Sequence, residues 1–171
     1  NFLGKELTVP VVSSPMDTVT GIAMAKELSN SGCIGIVNRF DSSLNELFSN
    51  GNVIEGIQAV SVSLTAEDEL MEKIAANNLI VCIDTANANN AHVLNKCEEI
   101  KKKYKVKVIV GNIAHGGTLK QLVDAGADAV RIGIGGGSVC TTSVQTGIGI
   151  GQVSSVLDTY FAREEQKLKI E

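Results

Sequence analysis

Val130-Arg131-Ile132-Gly133-Ile134-Gly135-Gly136-Gly137-Ser138-Val139-Cys140-Thr141-Thr142 runs from an apolar strand into a glycine-dense loop that ends on a cysteine followed by two hydroxyls. Glycine lets a backbone approach a ligand closely and adopt φ > 0, so successive N–H groups and the Ser138 hydroxyl can converge on a phosphate. A thiol at the end of such a loop, near oriented N–H donors, ionises more easily than a free one and can attack an electrophilic carbon. The stretch therefore predicts covalent chemistry on a phosphorylated substrate.

Outward from this strand, similar short apolar runs recur at 8–13, 33–37, 57–62, 79–84 and 106–111. Between them lie helical patterns at 21–29, 66–76, 89–103 and 118–125, with another at 153–168 after the last strand. The segment 41–55 reads as a weaker helix with a turn at Gly51-Asn52. The repeat of roughly 22 to 27 residues is the period of a βα array. Continuous apolar strands are buried on both faces, which predicts a parallel sheet covered by helices. Thr118 is expected to N-cap its helix and Gly126 to stand at the C′ position.

The C-terminal ends of these strands share a chemistry. Ser13-Ser14, Asn38-Arg39, Ser63, Asp84-Thr85, Gly111-Asn112 and the loop from Gly133 to Cys140 all place small or polar groups there. A (β/α)₈ barrel puts its site on that rim, whereas an open doubly wound sheet needs only one or two such ends. The reading is an α/β chain, a (β/α)₈ TIM barrel of which about six βα units are present. A seventh strand would begin near Ile170. The chain opens on Asn1 without Met and closes soon after a helical stretch, which predicts a piece of a longer protein or unseen segments.

Composition narrows the function classes. With 171 residues, 44% hydrophobic and 20% charged, the chain suits one well-buried domain. A net charge of -4 and 4% aromatic residues argue against a nucleic-acid partner, which calls for a basic face and stacking rings. No signal segment or long apolar run points to a membrane. The four cysteines lack metal-ligand spacing; Cys33, Cys82 and Cys97 read as core and the chain as a reduced, cytoplasmic protein. His92 and His115 have no partner at ligand spacing, and Lys101-Lys102-Lys103 reads as a solvated helix end. Ser138 stands where a dinucleotide fingerprint needs its third glycine, which argues against a Rossmann reading.

Taken in order, the motifs resemble the inosine monophosphate dehydrogenase and guanosine monophosphate reductase family. They are Ser13-Ser14-Pro15-Met16-Asp17-Thr18-Val19-Thr20, Gly35-Ile36-Val37 with Arg39, Asp84-Thr85-Ala86-Asn87, Gly111-Asn112-Ile113, Gly133 to Thr142, and Thr146-Gly147-Ile148-Gly149 with Gln152. The resemblance implies that residues 1–171 form part of a catalytic barrel without a regulatory CBS-type insert. It implies that Cys140 attacks C2 of a purine nucleotide and that Thr142 assists proton transfer. Ser138 would bind the 5′-phosphate, with Ser14 and Met16 on ribose and base. Asp84, Thr85, Ala86, Asn112, Gly133 and Gly135 would line the site of a nicotinamide cofactor, NADPH or NAD. Carbonyls of Gly135, Gly137 and Cys140 would hold a monovalent cation, usually potassium, and the assembly would be a homotetramer. The missing insert and the Asn78 to Asn87 stretch favour the reductase, which converts GMP to IMP. The form of Ser14 to Thr20 is nearer the dehydrogenase, which oxidises IMP to XMP with NAD. A catalytically silent nucleotide-binding fragment is a further alternative. The chain departs from the family at Asn38 (usually His), Gly136 and Gly151 (usually Pro) and Ser143 (usually Arg or Lys); the extra glycine predicts a looser loop.

Overall fold

The structure is a computed structural model that describes residues 1–40, 44, 46–49 and 51–171. It is a parallel sheet of alternating strands and helices, consistent with part of a (β/α) barrel. The chain divides into two compact units, Asn1–Cys82 with Lys103–Lys107, and Ile83–Lys102 with Val108–Glu171.

In the first unit, α1 (Ile22–Asn30) precedes β1 (Ile36–Val37), and the hairpin β2 (Phe48–Ser49) and β3 (Asn52–Val53) precedes β4 (Ala59–Val62) and α2 (Asp68–Ala76). β1 and β4 pair in parallel, Ile36 with Ala59 and Val37 with Val60. Both are buried throughout, as continuous apolar runs require. A Cβ on Gly35 would lie 2.4 Å from the Ala25 Cα, so the absent side chain is what lets α1 seat against the strand. The expected first strand is reduced to a single parallel bridge, Val12 to Ile34. β2 and β3 pair antiparallel, Phe48 with Val53 and Ser49 with Asn52, and Gly51 before β3 has φ +83°, instead of the weak helix expected over 41–55. Asn77, just past α2, holds that hairpin: its Oδ1 accepts from Val53 N at 2.9 Å and its Nδ2 donates to Gly51 O at 3.2 Å. The remaining parts of that expectation, 41–43, 45 and 50, lie outside the described residues.

β5 (Ile80–Asp84) and α3 (Ala91–Tyr104) run across the boundary between units. The second unit continues with β6 (Val108–Ile113), a 3-10 turn at Gly116–Thr118, α4 (Leu119–Asp124), β7 (Ala129–Ile132), α5 (Thr142–Thr146) and α6 (Gln152–Glu165). β6 lies between β5 and β7 and pairs in parallel with β7, Gly111 opposite Arg131. Ile83, Val93, Cys97, Ile100, Ile109 and Leu122 form much of the core.

Two capping expectations resolve differently. Gly126 (φ +94°) does close α4, with Ala127 N donating to Leu122 O at 2.9 Å. Thr118 makes no side-chain cap bond; it is buried, and the chain enters through the 3-10 turn, where His115 Nδ1 accepts from Gly117 N at 3.0 Å. At the far flank, Glu171 donates to Asp128 O (3.0 Å) and accepts from Val130 N (2.8 Å), the β7 pairing expected of a strand starting near Ile170. Among the described residues no helix is long and apolar enough to cross a membrane.

Candidate active site

In the second unit the polar ends of β5, β6 and β7 are stitched to one another. Thr85 donates to Gly111 O from both its N and its Oγ1, each at 2.9 Å, and accepts at its carbonyl from Asn112 N at 3.0 Å. Asn112 Nδ2 donates to Gly133 O at 2.7 Å, and Gly133 N donates to Ile113 O at 2.8 Å. Thr85, Asn112 and Gly133, read as cofactor-lining residues, are thus one hydrogen-bonded rim. Ala86 follows as an exposed residue.

Asp84 is the charged member of that rim. Its Oδ1 accepts from Arg131 Nη1 at 2.7 Å, with both side chains about four-fifths buried. The guanidinium starts on β7 and must cross β6 to reach β5. It does so at Gly111, where a Cβ would come within 2.6 Å of the Arg131 Cβ. Arg131 was no part of the site read from sequence.

The glycine loop leaves this rim. Gln152 closes its base, donating from Nε2 to Ile132 O at 3.0 Å, and its side chain covers Gly133 (φ +118°) so closely that no Cβ fits there. Cys140 N donates to Gly137 O at 3.1 Å, a turn that carries Ser138 and Val139 out into solvent and sets the thiol at the entrance of α5. That short helix, ended by Gly147 at φ +70°, was not foreseen. Cys140 is exposed, and its thiol is held below the ordinary cysteine range. The Thr142 hydroxyl is the largest cause; the backbone N–H groups of Thr142, Gly135 and Ser143 act with it, and slight burial opposes them. The other cysteines are buried, and burial pushes the Cys97 thiol up to about 12. The arrangement therefore offers one accessible, activated sulfur beside a hydroxyl.

Ser14 and Met16 belong to the first unit. There the Thr20 hydroxyl lies 2.8 Å from Ser14 O and 2.9 Å from Ser13 Oγ, and Ser13 Oγ accepts from Ile36 N at 3.1 Å. This small network fixes the loop and leaves Met16 half exposed. Asn38, where the resembling family carries His, is buried; its N and Nδ2 both donate to Thr20 O, at 3.0 and 2.9 Å.

Among the described residues no group of three or more His, Cys, Asp or Glu could hold a metal ion. The loop 133–149 contains no acidic residue, so its oxygen donors are neutral carbonyls and hydroxyls, a set suited to a hard cation of low charge.

Comparison with known proteins agrees with this layout. The model of the IMP dehydrogenase / GMP reductase domain matches residues 4–171. The chain is 33% identical over 165 residues to a GMP reductase of Aliivibrio salmonicida, covering 87% of this chain and 45% of that protein. It is 35% identical over 158 residues to one of Klebsiella pneumoniae (88% and 46%) and 32% identical over 166 residues to one of Vibrio cholerae (88% and 46%). The chain spans about half the length of the curated relatives it matches. With the motifs, the strand-end rim and the family match in agreement, the chain belongs to the IMP dehydrogenase / GMP reductase family.

Proposed function

We propose that the chain carries the nucleophile-bearing part of a GMP reductase, which converts GMP to IMP with NADPH. The observation that carries the reading is the exposed Cys140 thiol, held below the ordinary range by the Thr142 hydroxyl and three backbone N–H groups. The relatives named GMP reductase support it, as does the short passage between β1 and β4.

Cys140 Sγ, as thiolate, forms a bond to C2 of the purine, and the 2-amino group leaves as ammonia after taking a proton. Thr142, whose hydroxyl bonds the thiol, is assigned to relay that proton. A nicotinamide cofactor, once bound, would supply the hydride that C2 requires. When the C–S bond breaks, the electron pair returns to Cys140 and IMP is released. Ser138, on an exposed turn with Gly137, is assigned to the 5′-phosphate. Asp84, whose Oδ1 accepts from Arg131, is assigned to the cofactor's ribose hydroxyls. Asn112 and Gly133 hold the floor beneath. Carbonyls of Gly135, Gly137 and Cys140 are assigned to potassium, which would order the loop.

The test uses the full-length protein. GMP with NADPH should bleach the nicotinamide absorbance, while IMP with NAD and potassium should not develop it. The electrophilic nucleotide 6-chloro-IMP should label Cys140 alone. Absence of an adduct on Cys140 overturns the covalent mechanism, and turnover of IMP in place of GMP overturns the assignment to the reductase.

A further inference from the structure

The first turn of α6 braces the ends of two strands. Gln152, the first residue of that helix, donates from Nε2 to Ile132 O, the last carbonyl of β7, at 3.0 Å. One turn on, the buried Ser155 donates from Oγ to Ala114 O, just past β6, at 2.5 Å. Gly133 is held between these anchors. Its N donates to Ile113 O at 2.8 Å, and its carbonyl accepts from Asn112 Nδ2 at 2.7 Å. The Gln152 amide lies over its Cα: a Cβ built there would fall 2.1 Å from Oε1, 2.8 Å from Cδ and 2.9 Å from Nε2. Only glycine leaves room for the amide at that position, and only glycine adopts φ +118° freely. The same side chain reaches Gly136, where a Cβ would meet Oε1 at an ordinary 3.5 Å.

We propose that Gln152 is a positioning residue for the nicotinamide cofactor: anchored on Ile132 O, its amide holds Gly133 in place with its carbonyl on Asn112, so that the rim of Thr85, Asn112 and Gly133 keeps the shape the cofactor binds. The inference deepens the proposed function and rests on its assignment of the cofactor to that rim. The residues suit such a ligand. Asn112 brings a carboxamide and Gly133 a backbone without a side chain, a pairing that admits a flat ring bearing a carboxamide of its own. The Asn112 amide is planar, so the bond from Nδ2 to Gly133 O also sets the direction of Oδ1. A shift of Gly133 therefore turns that acceptor as well. Ordering the rim before the ligand arrives removes a cost from binding. The effect is also selective. Gln152 contacts Gly133 and Gly136, whereas Ser138, assigned to the nucleotide phosphate, stands on the exposed turn beyond them.

The experiment compares two ligands on the full-length protein and on its Gln152→Met and Gln152→Glu variants. Met keeps the length of the side chain without a donor, and Glu keeps its shape but sets a carboxylate against Ile132 O. NADPH affinity is read from the fluorescence of the bound dinucleotide, GMP affinity by calorimetry, and folding by circular dichroism melting. Loss of one hydrogen bond should weaken NADPH about fivefold in Q152M and further in Q152E, while GMP affinity changes less than about twofold. Parental NADPH affinity in the variants overturns the proposal. Equal losses for NADPH and GMP also overturn it, because they mean a general collapse of the loop. If one variant does not fold, the other decides the question. Unchanged NADPH affinity with 6-chloro-IMP labelling of Cys140 intact removes the inference and leaves the proposed function standing. A parent protein that binds NAD and oxidises IMP removes the reductase assignment, and the same comparison made with NAD then decides the role of Gln152. A parent protein that binds neither dinucleotide overturns both.

Discussion

Arg131 and Asp84 stand 47 residues apart, and their ion pair depends on a third residue that takes no part in it. Gly111 lets the guanidinium pass over β6, so a carboxylate at the end of β5 is held from β7. Because both groups are mostly buried, removing one partner of this pair costs more than it does in exposed pairs such as Lys73 with Glu69 or Lys120 with Asp124. Arg131→Met should therefore lower unfolding stability by about 2 kcal/mol, chiefly by leaving the Asp84 carboxylate without its donor. D84N/R131M should lose less than the sum of the single variants, with a coupling of about 1 kcal/mol in urea titrations. Additive losses would show that the two side chains do not act together. Asp84 was legible in the sequence as a strand-end carboxylate, and Arg131 was not: a basic residue inside an apolar run gives no sign of what it reaches across the sheet. The lysine run shows the same limit. Lys101, Lys102 and Lys103 read as a solvated helix end, and Lys102 and Lys103 are exposed there; what the sequence did not show is their partners, Asp128 (2.7 Å), Glu98 (3.0 Å) and Asp68 (2.5 Å).

Elements were easier to read than contacts because periodicity is local. The apolar runs at 79–84 and 106–111 became β5 and β6, and the amphipathic stretch at 89–103 became α3, each within three residues. The errors fell where the local signal was short. Residues 48–53 alternate too briefly to declare a hairpin, and the five residues of α5 hold less than two turns. What joins α6 to the site is likewise absent from its own sequence pattern. Gly116 N donates to Asp158 Oδ2 at 2.7 Å and Ser155 Oγ donates to Ala114 O at 2.5 Å, so the helix is tied to the segment after β6. That closeness needs glycine at 116, where a Cβ would lie 2.4 Å from Ala162 Cβ and 2.9 Å from Asp158 O. Gly116→Ala should cost about 1–3 kcal/mol through displacement of α6, and adding A162G should recover part of it. Gly136→Ala is the contrast, since its Cβ would meet only Gln152, whose Oε1 lies 3.5 Å away. It should leave stability unchanged or raise it by about 0.5 kcal/mol. Thermal melts of the two variants distinguish these directions, and equal losses at both positions would contradict the packing assigned to α6.

At the scale of the whole molecule, the pattern of apolar runs with polar ends was enough to identify the architecture, because burial on both faces leaves a strand little freedom in composition. The site was legible only where one motif carried several functions at once, as in the loop from Gly133 to Thr142. The same burial divides the thiols by reactivity. Cys33, Cys82 and Cys97 lie in the cores of their units, and Cys140 alone is exposed. Accessibility and ionisation act in the same direction here. The Cys140 thiol is held low by hydrogen bonds to its charged form, whereas burial raises Cys97 to about 12. Since the thiolate is the reacting species, Cys140 should reach its plateau rate at a lower pH than a free thiol, and its rate should fall as acid protonates it. The native protein should accordingly titrate one fast thiol with a disulfide reagent at pH 7, and all of its cysteines in strong denaturant. The three slow thiols should react only as fast as the structure opens, so their rates rise with urea while that of Cys140 does not increase. A second fast thiol in the native state would mean that one of the two cores is not closed as the structure shows it. Loss of the fast phase, with every thiol slow, would mean that the loop does not present Cys140 to solvent.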